Sequence, residues 1–284
     1  MKIAERYLRL FREQVQQPLL SFIPVGGGSI NHCFRAETPG GIYFLKENHE
    51  RKFPGMFEAE KKGLDLLRAA KTFCVPQCIA SGEDEEKSFL LLEWLEKKNG
   101  NDWRNAGKTL AKLHRNTSEF FGLDHANYIG SLPQSNAYKK TWTEFFALER
   151  ILPQMKMAFD NGRADKTLLK QTENFCSSLT TIFSEEKPSL LHGDLWSGNF
   201  FFATKGPAIF DPAVYYGHRE MDLAMTKLFG GFDEDFYTGY EEEFPLEKNW
   251  QERIDFCNLY PLLVHVNLFG GGYVQEVKTI LRKF

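Results

Sequence analysis

Residues 190–202 read LLHGDLWSGNFFF, and three polar side chains, His192, Asp194 and Asn199, fall within eight positions of one another. Asn199 follows Asp194 by five residues, and Asp211 follows Asn199 by twelve. A carboxylate can take the proton of an attacking hydroxyl or hold that hydroxyl in line. An amide oxygen and a second carboxylate are hard donors suited to a magnesium ion that also holds phosphate oxygens. Asp194 therefore reads as the catalytic base and Asn199 and Asp211 as the metal ligands. An isolated Asp or Asn in a turn is usually a turn former. Three such groups in this order and spacing match the catalytic loop and metal site of phosphoryl-transfer enzymes.

Upstream residues supply the rest of that chemistry. Gly26, Gly27, Gly28 and Ser29 in GGGSIN lie between two strand-like runs. No Gly-Lys-Ser/Thr follows, which excludes a Walker A loop, and a strand rather than a helix follows, which excludes the dinucleotide fingerprint. A glycine loop between antiparallel strands is the device that covers ATP phosphates in kinases. Lys46, in YFLKEN, stands on the third strand, and Glu58 and Glu60 follow on a predicted helix. A strand lysine paired with a helix carboxylate orients the phosphates. Glu60 is favoured because it opens the spacing Glu-x3-Leu-x2-Leu on the apolar face, with Glu58 as the alternative. The strand FLLLEWLE ends in Glu93-Trp94-Leu95, where the backbone of Glu93 and Leu95 can face an adenine ring. A Ser/His/Asp hydrolase with His192 as base is the rival reading. Neither Ser189 nor Ser197 lies in a Gly-x-Ser-x-Gly elbow, so His192 reads as a structural residue of its loop. His114, in LAKLH, reads as a helix-end histidine packed on the core.

The elements that must position these groups follow from periodicity. After an amphipathic N-terminal helix come strand, glycine loop, strand, turn and strand, then a helix over MFEAEKKGLDLLRAA and a buried strand over KSFLLLEWLE. Beyond that the pattern turns helical, interrupted by NFFFATKGPAIFD, which reads as a hairpin turning at Lys205 to Pro207. The fold class is α+β: a small antiparallel-sheet N-lobe over residues 1–95 and a mainly helical C-lobe over residues 96–284, with a ligand expected in the crevice between lobes. The 284 residues are enough for two such lobes, and 42% hydrophobic with 26% charged residues is an ordinary globular composition. A formal charge of -3 gives no broad attraction for nucleic acid or anionic membrane. No apolar run approaches the roughly 20 residues of a membrane-spanning helix, and no signal-peptide core opens the chain, so the protein is expected in the cytoplasm. Five scattered cysteines argue against a disulfide framework, and the Cys74/Cys78 pair lacks the companions of a zinc site.

Taken together, LLHGDLWSGN, IFDPAVYYGHREMDLAMTKLFGGF and PLLVHVNLFGGGY, with GGGSIN and FEAEKKGL upstream, resemble the fructosamine kinase (ketosamine kinase) family, a branch of the aminoglycoside and choline kinase-like proteins. The likeness covers nearly the whole chain. Trp196 and the Tyr-Gly-His-Arg-Glu to Phe-Gly-Gly-Phe segment are its specific part. The resemblance implies a protein kinase-like fold and ATP- and Mg2+-dependent phosphorylation of a sugar hydroxyl on a ketosamine, free or on a protein lysine, so that the unstable product decomposes and the amine is deglycated. It carries the base role to Asp194, metal binding to Asn199 and Asp211, and phosphate orientation to Lys46 and Glu60. Other small-alcohol kinases of this fold, or a silent nucleotide-binding scaffold, are the alternatives. Two departures stand out. Ser29 occupies a loop position where some members carry cysteine, so no loop disulfide is expected. Asp211-Pro212-Ala213 replaces Asp-Phe-Gly, which suggests a fixed metal site.

Only about ten residues separate Asp211 from the predicted helix MDLAMTKLF, too few for the peptide-docking platform of a protein kinase. A compact acceptor is the consequence. Trp196, Tyr216, His218, Phe229 and Phe232 are candidates for a sugar-side pocket, and Asp222 for a brace of the catalytic loop.

Overall fold

Alternating apolar positions build a five-stranded antiparallel sheet early in the chain: β1 (Ser21–Val25), β2 (His32–Thr38), β3 (Gly41–His49), β4 (Cys78–Glu83) and β5 (Lys87–Glu93), in the order β1-β2-β3-β5-β4. The structure is a computed structural model that describes residues 5–26, 30–83 and 86–283. The expected glycine-loop residues Gly27, Gly28 and Ser29 lie outside the described residues; Gly26 is described, and a Cβ placed there would meet nothing. Helix α1 (Glu5–Leu10) packs on the sheet, where Phe11, Phe22, Ala36, Leu45 and Leu91 form a buried cluster with Tyr7 and Tyr43 against it. On β3, period-2 alternation sends Glu47 to α1, where it accepts from Tyr7 Oη at 2.5 Å and pairs with Arg6 and Lys87. Its neighbour Lys46 turns the other way, to α2 (Met56–Ala69), which buries Phe57, Leu64 and Leu67 along one stripe.

The chain forms two compact units, residues 1–100 with 202–210, and residues 101–201 with 211–284. This shifts the expected boundary at residue 95 to Gly100 and gives most of the hairpin, β9 (Phe200–Ala203) and β10 (Gly206–Ile209), to the first unit. Main-chain hydrogen bonds are the reason. Lys98 N–H donates to Phe202 O at 2.8 Å, Thr204 N–H to Glu96 O at 3.0 Å, Cys74 N–H to Pro207 O at 2.9 Å and Ile209 N–H to Cys74 O at 3.1 Å. The tip falls at Thr204 and Lys205, one residue earlier than expected, because β10 already begins at Gly206.

The second unit is mainly helical: α3 (Trp103–His114), α4 (Trp142–Phe145), which continues through a π-helical stretch into α5 (Leu152–Asp160), α6 (Lys166–Ser177), α7 (Leu179–Ile182), α8 (Glu220–Leu228), α9 (Glu234–Glu243), α10 (Ile254–Phe269) and α11 (Tyr273–Leu281). Short antiparallel pairs, β6 (Asn127–Ile129) with β7 (Leu132–Gln134) and β8 (Ser189–Leu191) with β11 (Tyr215–Gly217), sit among them. Side-chain oxygens of Asp102, Thr141 and Asp165 cap the starts of α3, α4 and α6 by accepting backbone N–H groups. Helices α3 and α9 touch backbone to backbone: a Cβ on Gly107 would strike the Phe236 carbonyl, and one on Gly239 the Arg104 carbonyl. Phe145, Phe146, Phe175, Ile151, Tyr215 and Leu263 anchor the core of this unit. No helix among the described residues is long and apolar enough to cross a membrane.

Candidate active site

Strand β8 delivers the chain into the His192-Gly193-Asp194 turn, and Asp222, in the first turn of α8, fixes that turn from beneath. Its Oδ2 accepts the His192 N–H at 2.8 Å and its Oδ1 the Gly193 N–H at 2.9 Å. Asp222 is buried, and His114, the last residue of α3, approaches it with Nε2 at 3.2 Å. The other ring nitrogen, Nδ1, lies 2.8 Å from Tyr240 Oη. A carboxylate only accepts, so the network assigns the proton to Nε2 and makes Nδ1 the acceptor of the tyrosine O–H. Burial pushes the Asp222 carboxyl up, but the hydrogen bonds it accepts from His114 and from the Gly193 N–H outweigh that and hold it below the usual carboxylate range. The expected brace is thus present, and His114 is part of it rather than simple packing.

Gly193 has φ +82, and a Cβ there would run into the Ala213 carbonyl. Ala213 N–H in turn donates to His192 O at 2.9 Å. These contacts bring the Asp211 segment against the catalytic turn. Asn199 Nδ2 donates to Asp194 O at 2.9 Å and to Asp194 Oδ2 at 3.1 Å, and lies 3.5 Å from Asp211 O. The three residues singled out by spacing therefore meet in space. Asp211 itself adopts φ +54, left-handed backbone that few residues other than glycine tolerate and that Asp accepts more readily than most. His192 is fully buried, and its Nδ1 accepts the Asp194 N–H at 3.3 Å, a structural use of the ring.

Burial, then the charges of Asp211 and Asp222, push the Asp194 carboxyl up from the ordinary 3.8 to about 7, against the Asn199 hydrogen bond. A carboxyl tuned to that range is matched to proton transfer near neutrality. Among the described residues no cluster of three or more His, Cys, Asp or Glu could hold a metal. One carboxylate and one amide oxygen, from Asp211 and Asn199, instead suit a hard ion that completes its shell with water and phosphate. With its Nδ2 turned to Asp194, Asn199 keeps Oδ1 as the donor atom for such an ion.

Segment 211–214 is also supported from below by residues that no sequence spacing pointed to. Gln134 Nε2 donates to Ala213 O at 3.2 Å and Asn127 Nδ2 to Val214 O at 2.8 Å, while Tyr260 Oη donates to Gln134 Oε1 at 2.5 Å. Their hydrogen-bond partners lie about 80 to 130 positions away along the chain, so local pattern carries no trace of them.

In the first unit, Lys46 is 2% exposed and its Nζ donates to both carboxylate oxygens of Glu60 at 2.8 Å. Glu58 is exposed and faces Lys62 at 4.0 Å. Of the Glu93-Leu95 segment, the Glu93 N–H is spent on Gln77 O at 2.8 Å, so it is not available as a donor to a base. The Glu93 side chain meets Lys205, and Leu95 follows the strand, half-buried.

The expected sugar-side residues separate. Trp196 is exposed, its ring lying over Gly198 and edge-on to Phe229 at 6.0 Å. Phe232 packs among Trp103, Phe200 and Phe236, half-buried. Tyr216 pairs with Leu190 across β8 and exchanges backbone hydrogen bonds with Gly122, with Tyr138 near its phenol. His218 is corrected outright: it is fully buried against Trp142 and Phe183 with Glu186 beside it, and offers no surface to a ligand.

Comparison with known proteins adds a second line of observation. The family model described as fructosamine kinase matches residues 4–284. A probable ketoamine kinase of Enterococcus faecium is 41% identical over 265 residues, covering 92% of this chain and 94% of that protein. The chloroplastic protein-ribulosamine 3-kinase of Arabidopsis thaliana is 36% identical over 265 residues, covering 90% and 80%. The crystal structure of a candidate fructosamine-3-kinase from Thermobifida fusca superposes with a TM-score of 0.87 at 33% identity, over 99% of this chain and 100% of that one. The aminoglycoside phosphotransferase APH(4)-Ia, solved with ADP and hygromycin B, reaches a TM-score of 0.64 at 15% identity over 96% and 97%, a likeness of fold, which is protein kinase-like.

Proposed function

For a chain that belongs to the fructosamine kinase family, we propose ATP-dependent transfer of the γ-phosphoryl group to a sugar hydroxyl of a ketosamine. The observation that carries this reading is the meeting of Asp194, Asn199 and Asp211 on a turn clamped by Asp222, in a chain matched to that family from residue 4 to its end.

The acceptor hydroxyl lies against Asp194. Asn199 holds Oδ2 of that carboxylate, and among the described residues Oδ1 has no hydrogen-bond partner, so Oδ1 takes the proton. The hydroxyl oxygen bonds to the γ-phosphorus as the bond from that phosphorus to the β–γ bridging oxygen breaks, and ADP departs. Asn199 and Asp211 would hold Mg2+, which when bound neutralises charge on the phosphate oxygens. Lys46, set by Glu60, serves to orient the ATP phosphates. The short span from Asp211 to α8 is filled by β11, which favours a compact acceptor over an extended peptide. Trp196, exposed and two positions after the base along the chain, offers the sugar a ring face. The Arabidopsis relative's name places transfer at position 3 of a protein-bound ribulosamine, and the same position is proposed here, in the cytoplasm where ATP is supplied.

An ATP-consumption assay with ribulosyl-lysine, fructosyl-lysine and an aminoglycoside tests the reading. Magnesium-dependent turnover of a ketosamine is expected. Turnover of the aminoglycoside with none of either ketosamine would overturn it.

A further inference from the structure

Of the five large apolar side chains left exposed among the described residues of the second unit, Tyr138 and Leu148 stand elsewhere and the other three are joined by rings. Trp196, Phe229 and Phe269 are 37%, 40% and 58% exposed, and they belong to one strip of rings. From Trp196 the strip passes to Phe229 at 6.0 Å, then to His265 at 5.0 Å, and from His265 to Phe269 at 5.5 Å and Tyr273 at 4.9 Å. Its members come from the catalytic loop, the end of α8, α10 and α11, so the tertiary fold assembles it. The central ring is fixed: His265 Nδ1 lies 2.8 Å from the Pro261 carbonyl, a pure acceptor, and must donate to it. These rings, three of them exposed and His265 and Tyr273 half-buried, form a contiguous aromatic strip whose first member follows Asp194 by two positions along the chain, and contiguous exposed apolar patches mark binding surfaces.

Length decides which part of the acceptor it meets. The reacting hydroxyl is held at Asp194, and a sugar ring covers the first of these aromatic faces. Three further centroid steps carry the strip beyond a single hexulose or pentulose. What continues from the sugar in a ketosamine is its amine nitrogen, a cationic secondary ammonium near neutral pH, followed by the substituent that the nitrogen bears. Aromatic faces suit both parts. They attract an ammonium through the ring quadrupole and bury the apolar stem beyond it.

We propose that the strip from Phe229 through His265 to Phe269 and Tyr273 receives the amine-borne half of the acceptor, and that Phe269 selects ketosamines of amines with an apolar or aromatic stem over those of small amines. The inference rests on the ketosamine reading above.

The test uses two ketosamines of one sugar, made from phenethylamine and from methylamine, with the full-length protein and its Phe269→Ala and Phe269→Leu variants. Half-burying one more aromatic side chain corresponds to roughly a tenfold preference in kcat/KM. The wild-type protein is expected to favour the phenethylamine conjugate by about that factor, through KM. In Phe269→Ala the ratio should collapse to within about twofold of unity, and Phe269→Leu should restore most of it because the apolar contact returns. Phe269 is exposed, so melting temperatures of the three proteins should agree, separating selection from folding. Turnover of both conjugates with no preference, or equal losses on both in Phe269→Ala, overturns the strip and leaves the ketosamine reading standing. Turnover of neither conjugate overturns both.

Discussion

Replacing Asp194 with Asn should cost the enzyme its chemistry and make the protein more stable at alkaline pH. Asn keeps the size of the side chain and, with its oxygen at the Oδ2 position, keeps the hydrogen bond from Asn199 Nδ2 at 3.1 Å. It removes the proton acceptor, and loss of a positioned base costs about two to four orders of magnitude in turnover. The stability effect follows from linkage. The Asp194 carboxyl stands at about 7 in the folded protein against an ordinary 3.8, through burial and then the charges of Asp211 and Asp222. Below pH about 4 it is protonated in both folded and unfolded chains and contributes no difference. Between about 4 and 7 the unfolded chain ionises while the folded one keeps its proton, so wild-type stability falls as pH rises, and the whole penalty is present above 7. At 1.36 kcal/mol per pH unit that penalty is at most about 4 kcal/mol, and about 2 kcal/mol once solvent screening is counted. Denaturant melts of wild-type and Asp194→Asn protein at pH 4, 6 and 8, free of metal and nucleotide, should show a gain for the variant that is absent at pH 4 and largest at pH 8. ATP binding should persist. A gain independent of pH, or turnover within tenfold of wild type, would refute the reasoning.

Four other substitutions probe the supports. Glu60→Ala removes both carboxylate oxygens to which the buried Lys46 ammonium donates and should destabilise the first unit by about 2–3 kcal/mol and weaken ATP binding, whereas Glu58→Ala should stay within about 0.5 kcal/mol; similar melts for the two would contradict the pairing of Lys46 with Glu60. Asp222→Ala leaves the His192 and Gly193 amides without their carboxylate and should cost about 3–5 kcal/mol at pH 7, with kcat falling more than KM rises; unchanged kcat would mean that the turn holds its shape without the brace. Gly193→Ala should lose both fold stability and activity, since φ +82 and the nearby Ala213 carbonyl exclude a Cβ; a soluble variant with wild-type turnover and melting would contradict the geometry.

The chemistry was legible in sequence because catalytic loops are local. Asp194, Asn199 and the strand that carries the chain towards Asp211 occupy one short hairpin, and five- and twelve-residue spacings suffice to bring them together. The pairing of Lys46 with Glu60 was nearly as readable, since a strand alternates with period 2 and a helix with 3.6, and both residues fall on the apolar sides of their elements. Side chains that reach across the chain were not legible. Nothing in spacing told that His114 on α3 and Tyr240 on α9 would complete the Asp222 brace, or that Gln134, Asn127 and Tyr260 would hold the carbonyls after Asp211.

Aromatic residues show the same division most plainly. Trp196, Tyr216, His218, Phe229 and Phe232 are all aromatic side chains near the motif, and the sequence offers all five as candidates for one pocket. The fold leaves Trp196 exposed, seats Phe232 in a ring cluster, sets Tyr216 beside Tyr138 and buries His218. It keeps Trp196 with Phe229 and joins that pair to His265, Phe269 and Tyr273. Residue type and spacing determine which reaction this chain can support, because Asp194, Asn199 and Asp211 are brought within a few ångströms by one short stretch of chain. Burial is a property of everything packed around a side chain, so only the tertiary structure decides which rings are left to meet a substrate.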